Sequence, residues 1–190
     1  MTYLVVSSLA DLPATVEQHG ALDVLTLINV GTPVERPAVI GEDRHLFIGI
    51  NDIVEPTEGM VHPDASHLDQ LLEFGHRWDR KTPLAIHCFA GISRSTAAAY
   101  ILACAINPDM DEQRLADELR RRAPTATPNA LLVRLADEKL GRGGRMIRAV
   151  ESIGRGEEAF SGTPFVLPLT LDEPVPSDPE AAEAAIRRDS

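Results

Sequence analysis

The residues with the clearest chemical potential fall in nine consecutive positions, His87-Cys88-Phe89-Ala90-Gly91-Ile92-Ser93-Arg94-Ser95. The stretch follows an apolar run, Pro83-Leu84-Ala85-Ile86, and precedes Thr96-Ala97-Ala98-Ala99-Tyr100-Ile101-Leu102-Ala103. The first run reads as a short buried strand and the second as a helix packed on a core. A loop in that position aims backbone N–H groups, and the positive end of a helix dipole, at one point. Small residues at Ala90 and Gly91 let the backbone curl into an anion-binding nest. Arg94 adds a planar fork of donors that fits two phosphate oxygens at once. Cys88, at the floor of such a nest, is expected as the thiolate, because every nearby dipole favours negative charge. A thiolate facing a bound phosphate is a nucleophile facing its target. The plain alternative is a buried cysteine at a strand end with an ordinary surface arginine, and the flanking strand and helix argue against it.

The elements that must position this loop are legible in outline. Leu4-Val5-Val6 reads as a first strand, Asp23 to Asn29 as a second and His45 to Ile50 as a third. A short helix through Glu17 is expected between the first two, capped by Ser8 or Asp11, with Pro13 in its first turn and His19-Gly20 as its stop. A polar loop from Asn51 to His62 leads to a helix from Asp64 to Trp78, whose residues Leu68, Leu71, Leu72, Gly75 and Trp78 recur at helical spacing. After the helix that begins at Arg94, three more are expected: Asp111 to Arg122, Asn129 to Leu140 and Gly143 to Ile153. Strands alternating with helices, followed by a run of helices, give an α/β class with a central mixed sheet flanked by helices. Residues 1–153 read as the catalytic domain and 154–190 as an acidic extension, with five of the fourteen prolines and about five net negative charges. Within it, Phe165 to Leu171 is too apolar for a solvated tail and is expected to lie across the domain or to pair with a neighbouring subunit.

His-Cys, five residues, Arg, Ser, set between strand and helix, resembles the signature of the cysteine-dependent protein tyrosine phosphatases, in particular their small dual-specificity-like bacterial type. The resemblance implies a phosphatase fold with this loop at the carboxyl end of a central strand. It implies Cys88 as nucleophile, Arg94 and the loop residues Phe89, Ala90, Gly91, Ile92 and Ser93 as the phosphate site, and Ser95 as the hydroxyl that helps the thiolate leave. His87 would order the loop by hydrogen bonding. A leaving alkoxide or phenoxide needs a proton, which a carboxylic acid can give. The family keeps an aspartate for this on a loop upstream of the cysteine, and Asp52, 36 residues before Cys88, matches it. Glu55, Glu58 and Asp64 are rivals, although Asp64 after Pro63 is better placed to cap its helix. Asn129, in Thr127-Pro128-Asn129, resembles a Pro-Asn segment near the phosphate loop, and asparagine there is also an ordinary helix cap.

Composition narrows the rest. A net charge of −11 speaks against nucleic acid and anionic membranes as partners. No apolar run is long enough for a membrane span, and Met1-Thr2-Tyr3-Leu4 does not open a signal peptide. Two cysteines, Cys88 and Cys104, make no disulfide framework, so a reducing cytoplasm is expected. Cys104 reads as a small core residue, about three helical turns from Arg94. His19, His45, His62, His67 and His76 have no metal spacing and read as surface or loop residues, and Gly141-Arg142-Gly143-Gly144-Arg145 reads as a helix break. No metal or other cofactor is expected.

The expected function is hydrolysis of phosphomonoesters through a cysteinyl phosphate, with phosphotyrosine in protein as the default substrate and phosphoserine or phosphothreonine beside it. The alternatives are a phosphate-binding module without useful turnover, or a thiol enzyme like a rhodanese or an arsenate reductase. The loop carries no lysine, unlike the loops of the phosphoinositide-directed relatives that the resemblance brings in, and with the acidic surface this lowers inositol lipids and RNA ends among substrates. The expected partner is a phosphorylated protein or small phosphomonoester, and oligomeric state is left open.

Overall fold

The computed structural model describes residues 2–171. Among these residues five strands form one sheet: β1 (Tyr3–Ser7), β2 (Asp23–Ile28), β3 (His45–Gly49), β4 (Leu84–His87) and β5 (Phe165–Pro168), in the order β3-β2-β4-β1-β5. The first four are parallel to their neighbours, and β5 runs antiparallel to β1. The register fixes the centre, because Ile86 of β4 lies level with Val6 of β1 and with Leu25 of β2. β1, β2 and β4 are buried on both faces, which is why they read as continuous apolar runs.

Among the described residues, six helices cover the sheet: α1 (Leu12–His19), α2 (Ala65–Arg77), α3 (Arg94–Ile106), α4 (Glu112–Arg122), α5 (Ala130–Lys139) and α6 (Arg145–Ile153). Side chains alternate along each strand. Leu4, Val6, Leu25, Leu27, Leu84 and Ile86 face the larger core with α2 to α6, whereas Val5, Val24 and Ala85 face a smaller one with Leu12 and Val16 of α1. α3 carries Ala97, Ala98, Ala99 and Ala103, all fully buried, so its backbone lies close to the sheet. Gly75 brings α2 equally near α3, since a Cβ there would sit 2.4 Å from Leu102 Cδ2.

The expected elements are present, with corrections of physical interest. Asp11 is the N-cap residue of α1 but caps with no side-chain bond; Ser8 Oγ instead donates to Asp11 Oδ2 at 2.6 Å. β2 ends at Ile28, which releases Asn29 for another role. Phe165–Pro168 pairs with β1 of its own chain, with Pro168 at the sheet edge where its missing N–H costs no ladder bond. The proline-rich acidic part of the tail, from 172 onward, lies outside the described residues.

The Gly141 to Arg145 stretch does break the helix, but Arg142 is buried rather than solvated. It donates to the Cys104 and Asn107 carbonyls at the end of α3, to Pro108 O at 2.9 Å and to Glu112 Oε1 at 3.0 Å. One guanidinium thus caps α3 and ties it to α4. Arg142→Leu should lower the free energy of unfolding by about 3 kcal/mol, the low end for breaking a buried pair because Arg145 still reaches Glu112. Denaturant melts of the two proteins measure the difference.

Candidate active site

β4 delivers His87 and Cys88 to the carboxyl end of the sheet, and the chain then turns through residues 89–93 into α3. Gly91 makes the turn with φ +72° and lies against the β1–α1 junction, where a Cβ would stand 2.8 Å from Ser7 C and Ser8 N. Only glycine fits both the conformation and the space. The loop's carbonyls are held from outside. Phe89 O accepts from Leu9 N at 3.1 Å, Ala90 O from Gly162 N at 2.8 Å, Ile92 O from Thr127 N at 2.9 Å and Ser93 O from Asn129 N at 3.3 Å. Carbonyls tied outward turn the N–H groups of the same peptides inward, which is what an anion nest requires. The N–H of Gly91 is already directed at Cys88 Sγ, at 3.3 Å.

Cys88 is buried, with Ser95 Oγ 3.2 Å from its sulfur. Arg94, only 5 % exposed, donates through Nη1 to Asn29 Oδ1 and to Ile50 O, both at 2.7 Å. Both acceptors are neutral, and Arg94 Nε is buried with no protein partner. A buried guanidinium held at one nitrogen by uncharged oxygens is oriented without being neutralised by them. Asn29 was not anticipated as part of the site; its signal was only its place at the end of the second strand.

Asp52 lies in the loop after β3 and is tied to the cysteine loop by Ser93 and to the start of α5 by Asn129. Its Oδ1 accepts from Ser93 Oγ at 2.7 Å and from Asn129 Nδ2 at 2.9 Å. Both bonds fall on one oxygen, and no hydrogen bond from the described residues reaches Oδ2. Asn129 meanwhile caps α5, its Oδ1 accepting from Leu131 N and Leu132 N. The two readings of Asn129, site residue and helix cap, are therefore compatible. Asp64 is occupied as expected, capping α2 through Ser66 N and His67 N, and the Ser66 hydroxyl is the main cause holding its carboxyl below the usual range. Glu55 lines a cleft of about 1060 Å³ together with Asp52, Ser93, Asn129, Arg155 and Glu157, whereas Glu58 lies outside that lining.

His87 is fully buried, and burial pushes its pKa down to about 4, so the ring is neutral. Nδ1 lies 3.3 Å from the Cys88 carbonyl and Nε2 lies 2.7 Å from Thr26 Oγ1. His45 departs from its expected surface role, being half-buried on β3 with Nε2 2.8 Å from the same Thr26 hydroxyl. Cys104 lies in the core, where burial pushes its thiol up to about 12, so it is unreactive at neutral pH.

Comparison with solved structures shows the fold. DUSP15 aligns with a TM-score of 0.58 at 18% identity, over 83% of this chain and 99% of its own. The Cydia pomonella PTP-2 phosphatase aligns with a TM-score of 0.54 at 22% identity, over 70% and 83%. A mouse dual specificity phosphatase aligns at 0.52 and 14% identity, over 73% and 80%. No family model matches the sequence and no curated protein matches it. The chain has the α/β fold of the tyrosine and dual-specificity phosphatases, with the cysteine loop at the end of its central strand. Among the described residues, no helix is long and apolar enough to cross a membrane.

Gly91→Ala should weaken binding of a tetrahedral oxyanion such as tungstate by about tenfold or more, since a left-handed alanine alone costs about 1–2 kcal/mol and the contact with Ser7 adds to it. Competition with an aryl phosphate or direct calorimetry reads the loss.

Proposed function

We propose that this protein is a phosphatase that hydrolyses phosphomonoesters through a cysteinyl-phosphate intermediate on Cys88. The observation that carries the reading is Arg94 Nε, a buried cationic donor without a protein partner, in the same loop as a buried thiol that receives the Gly91 N–H. Phosphate oxygens are received by Arg94 and the amides of residues 89–94, and the thiol sulfur, as thiolate, attacks phosphorus in line with the ester oxygen. The S–P bond forms as the P–O bond breaks, and Asp52 gives its proton to the departing oxygen. In the second step Asp52 takes a proton from water, which attacks phosphorus and releases the thiolate. Ser95 Oγ, 3.2 Å from the sulfur, donates to that thiolate as it leaves.

The substrate in this proposal is phosphorylated protein, phosphotyrosine first and phosphoserine or phosphothreonine beside it. Support comes from the fold shared with tyrosine and dual-specificity phosphatases, one of them solved with zinc tungstate, whose anion has the shape and charge type of phosphate. The bonds that hold Asp52 at the loop favour turnover over passive phosphate binding.

The test is release of phosphate from a series of phosphate esters with graded leaving groups. The wild type should turn over steadily, and Cys88→Ser should be inactive. Asp52→Asn should lower turnover by ~10²–10⁴-fold on poor leaving groups. The loss should shrink on activated aryl phosphates, whose phenolates leave unaided, and the alkaline limb of the pH–rate profile should flatten. Activity in Cys88→Ser overturns the covalent mechanism. If Glu55→Gln shows the leaving-group pattern and Asp52→Asn does not, the acid is Glu55.

A further inference from the structure

A line of hydrogen bonds crosses the sheet beneath the phosphate loop. It joins β3, β2 and β4 through His45 Nε2, Thr26 Oγ1 and His87 Nε2, at 2.8 and 2.7 Å, and ends where His87 Nδ1 meets the Cys88 carbonyl at 3.3 Å. One atom fixes every direction in it. The carbonyl can only accept, so His87 Nδ1 carries the proton, and in the neutral ring Nε2 is then bare. The single proton of the Thr26 hydroxyl therefore goes to His87. The Thr26 oxygen in turn accepts from His45, whose Nε2 must carry its proton. The chain thus donates step by step from His45 toward Cys88.

Its last acceptor belongs to the peptide unit between Cys88 and Phe89. In a trans peptide the N–H points opposite to the C=O. A bond received by the Cys88 carbonyl polarises the N–H of the same peptide, that of Phe89, on the side away from His87. Bonds in series strengthen one another in a dry interior, and Thr26 and His87 are both fully buried. The charged group that acts on His45 is Arg36, and the titratable one that acts on His87 is His45 itself; both favour the neutral rings the chain needs.

We propose that Thr26 and His45 are positioning residues for Cys88, which hold His87 in one tautomer and so stabilise the thiolate through the peptide that follows the cysteine. The inference rests on Cys88 being the nucleophile, but its test needs no substrate.

The rate of alkylation of Cys88 by iodoacetamide is measured against pH in the full chain. Cys104 stays silent because it is fully buried in the core. Thr26→Val keeps the shape of the side chain and removes the hydroxyl. Below the thiol midpoint it should slow alkylation roughly three- to tenfold, the effect of one lost hydrogen bond. The plateau rate at high pH should stay unchanged, which separates a shift in ionisation from a change in access. Thr26→Ser should restore the profile. His45→Leu, at a half-exposed position that tolerates change, should move the midpoint the same way by less, and it carries the test if Thr26→Val does not fold. A merely structural role would lower thermal stability and leave the midpoint in place. Coincident profiles for the wild type and a folded Thr26→Val, or for the wild type and His45→Leu, overturn the proposal. Absence of phosphate release by the wild type would instead overturn the phosphatase reading and leave this result standing.

Discussion

The outward ties on the carbonyls of the loop from Phe89 to Ser93 are the constraint on which the rest of the structure depends. A short loop whose peptides all turn their N–H groups inward would leave its carbonyls without partners, and buried carbonyls must be bonded. Here three separate regions supply the four partners: Leu9 from the β1–α1 turn, Gly162 from the approach to β5, and Thr127 and Asn129 from the segment before α5. Much of what surrounds β4 can be understood as scaffolding that delivers those four amides. The antiparallel edge strand β5 belongs to this logic, because its pairing with β1 fixes the chain that carries Gly162.

Arg94 imposes the second requirement. A buried cation is costly, and a carboxylate partner would neutralise it and compete with phosphate. Asn29 and the Ile50 carbonyl orient the guanidinium without cancelling its charge. Both come from the carboxyl ends of strands beside β4, β2 directly and β3 one strand further, so the parallel order of the sheet is what brings them there. The buried Glu112 and Arg142 show the opposite arrangement, with the charges paired and spent on holding α3 against α4.

The site was legible where its chemistry is contiguous. Cys88, Gly91, Arg94 and Ser95 share one short segment between a strand and a helix, and local pattern is enough to read them. Asp52 was legible only through a family resemblance, and Asp64 through its cap position. Asn29, Thr26 and His45 were not legible, because Asn29 and Thr26 act on residues 65 and 61 positions away in the chain, and His45 meets Thr26, 19 positions away, only through strand register. Asparagine after a strand, threonine within one and histidine at the start of another are common locally, and nothing in their neighbours marks them. β5 escaped for a related reason: a four-residue edge strand ending in Pro168 has a weak local signal, and its existence depends on β1. Arg142, between glycines, read as punctuation because its ligands are helix-end carbonyls that only the packed α3 presents.

In the proposed reaction the loop and Arg94 present a phosphoryl group to the Cys88 sulfur. Mass spectrometry of the enzyme, quenched in acid during turnover of an aryl phosphate and digested, tests it directly. One phosphoryl group should appear on the peptide that contains Cys88, at a fraction that rises in Asp52→Asn as water attack slows. Continued phosphate release with no adduct on that peptide, or an adduct on another residue, would contradict it.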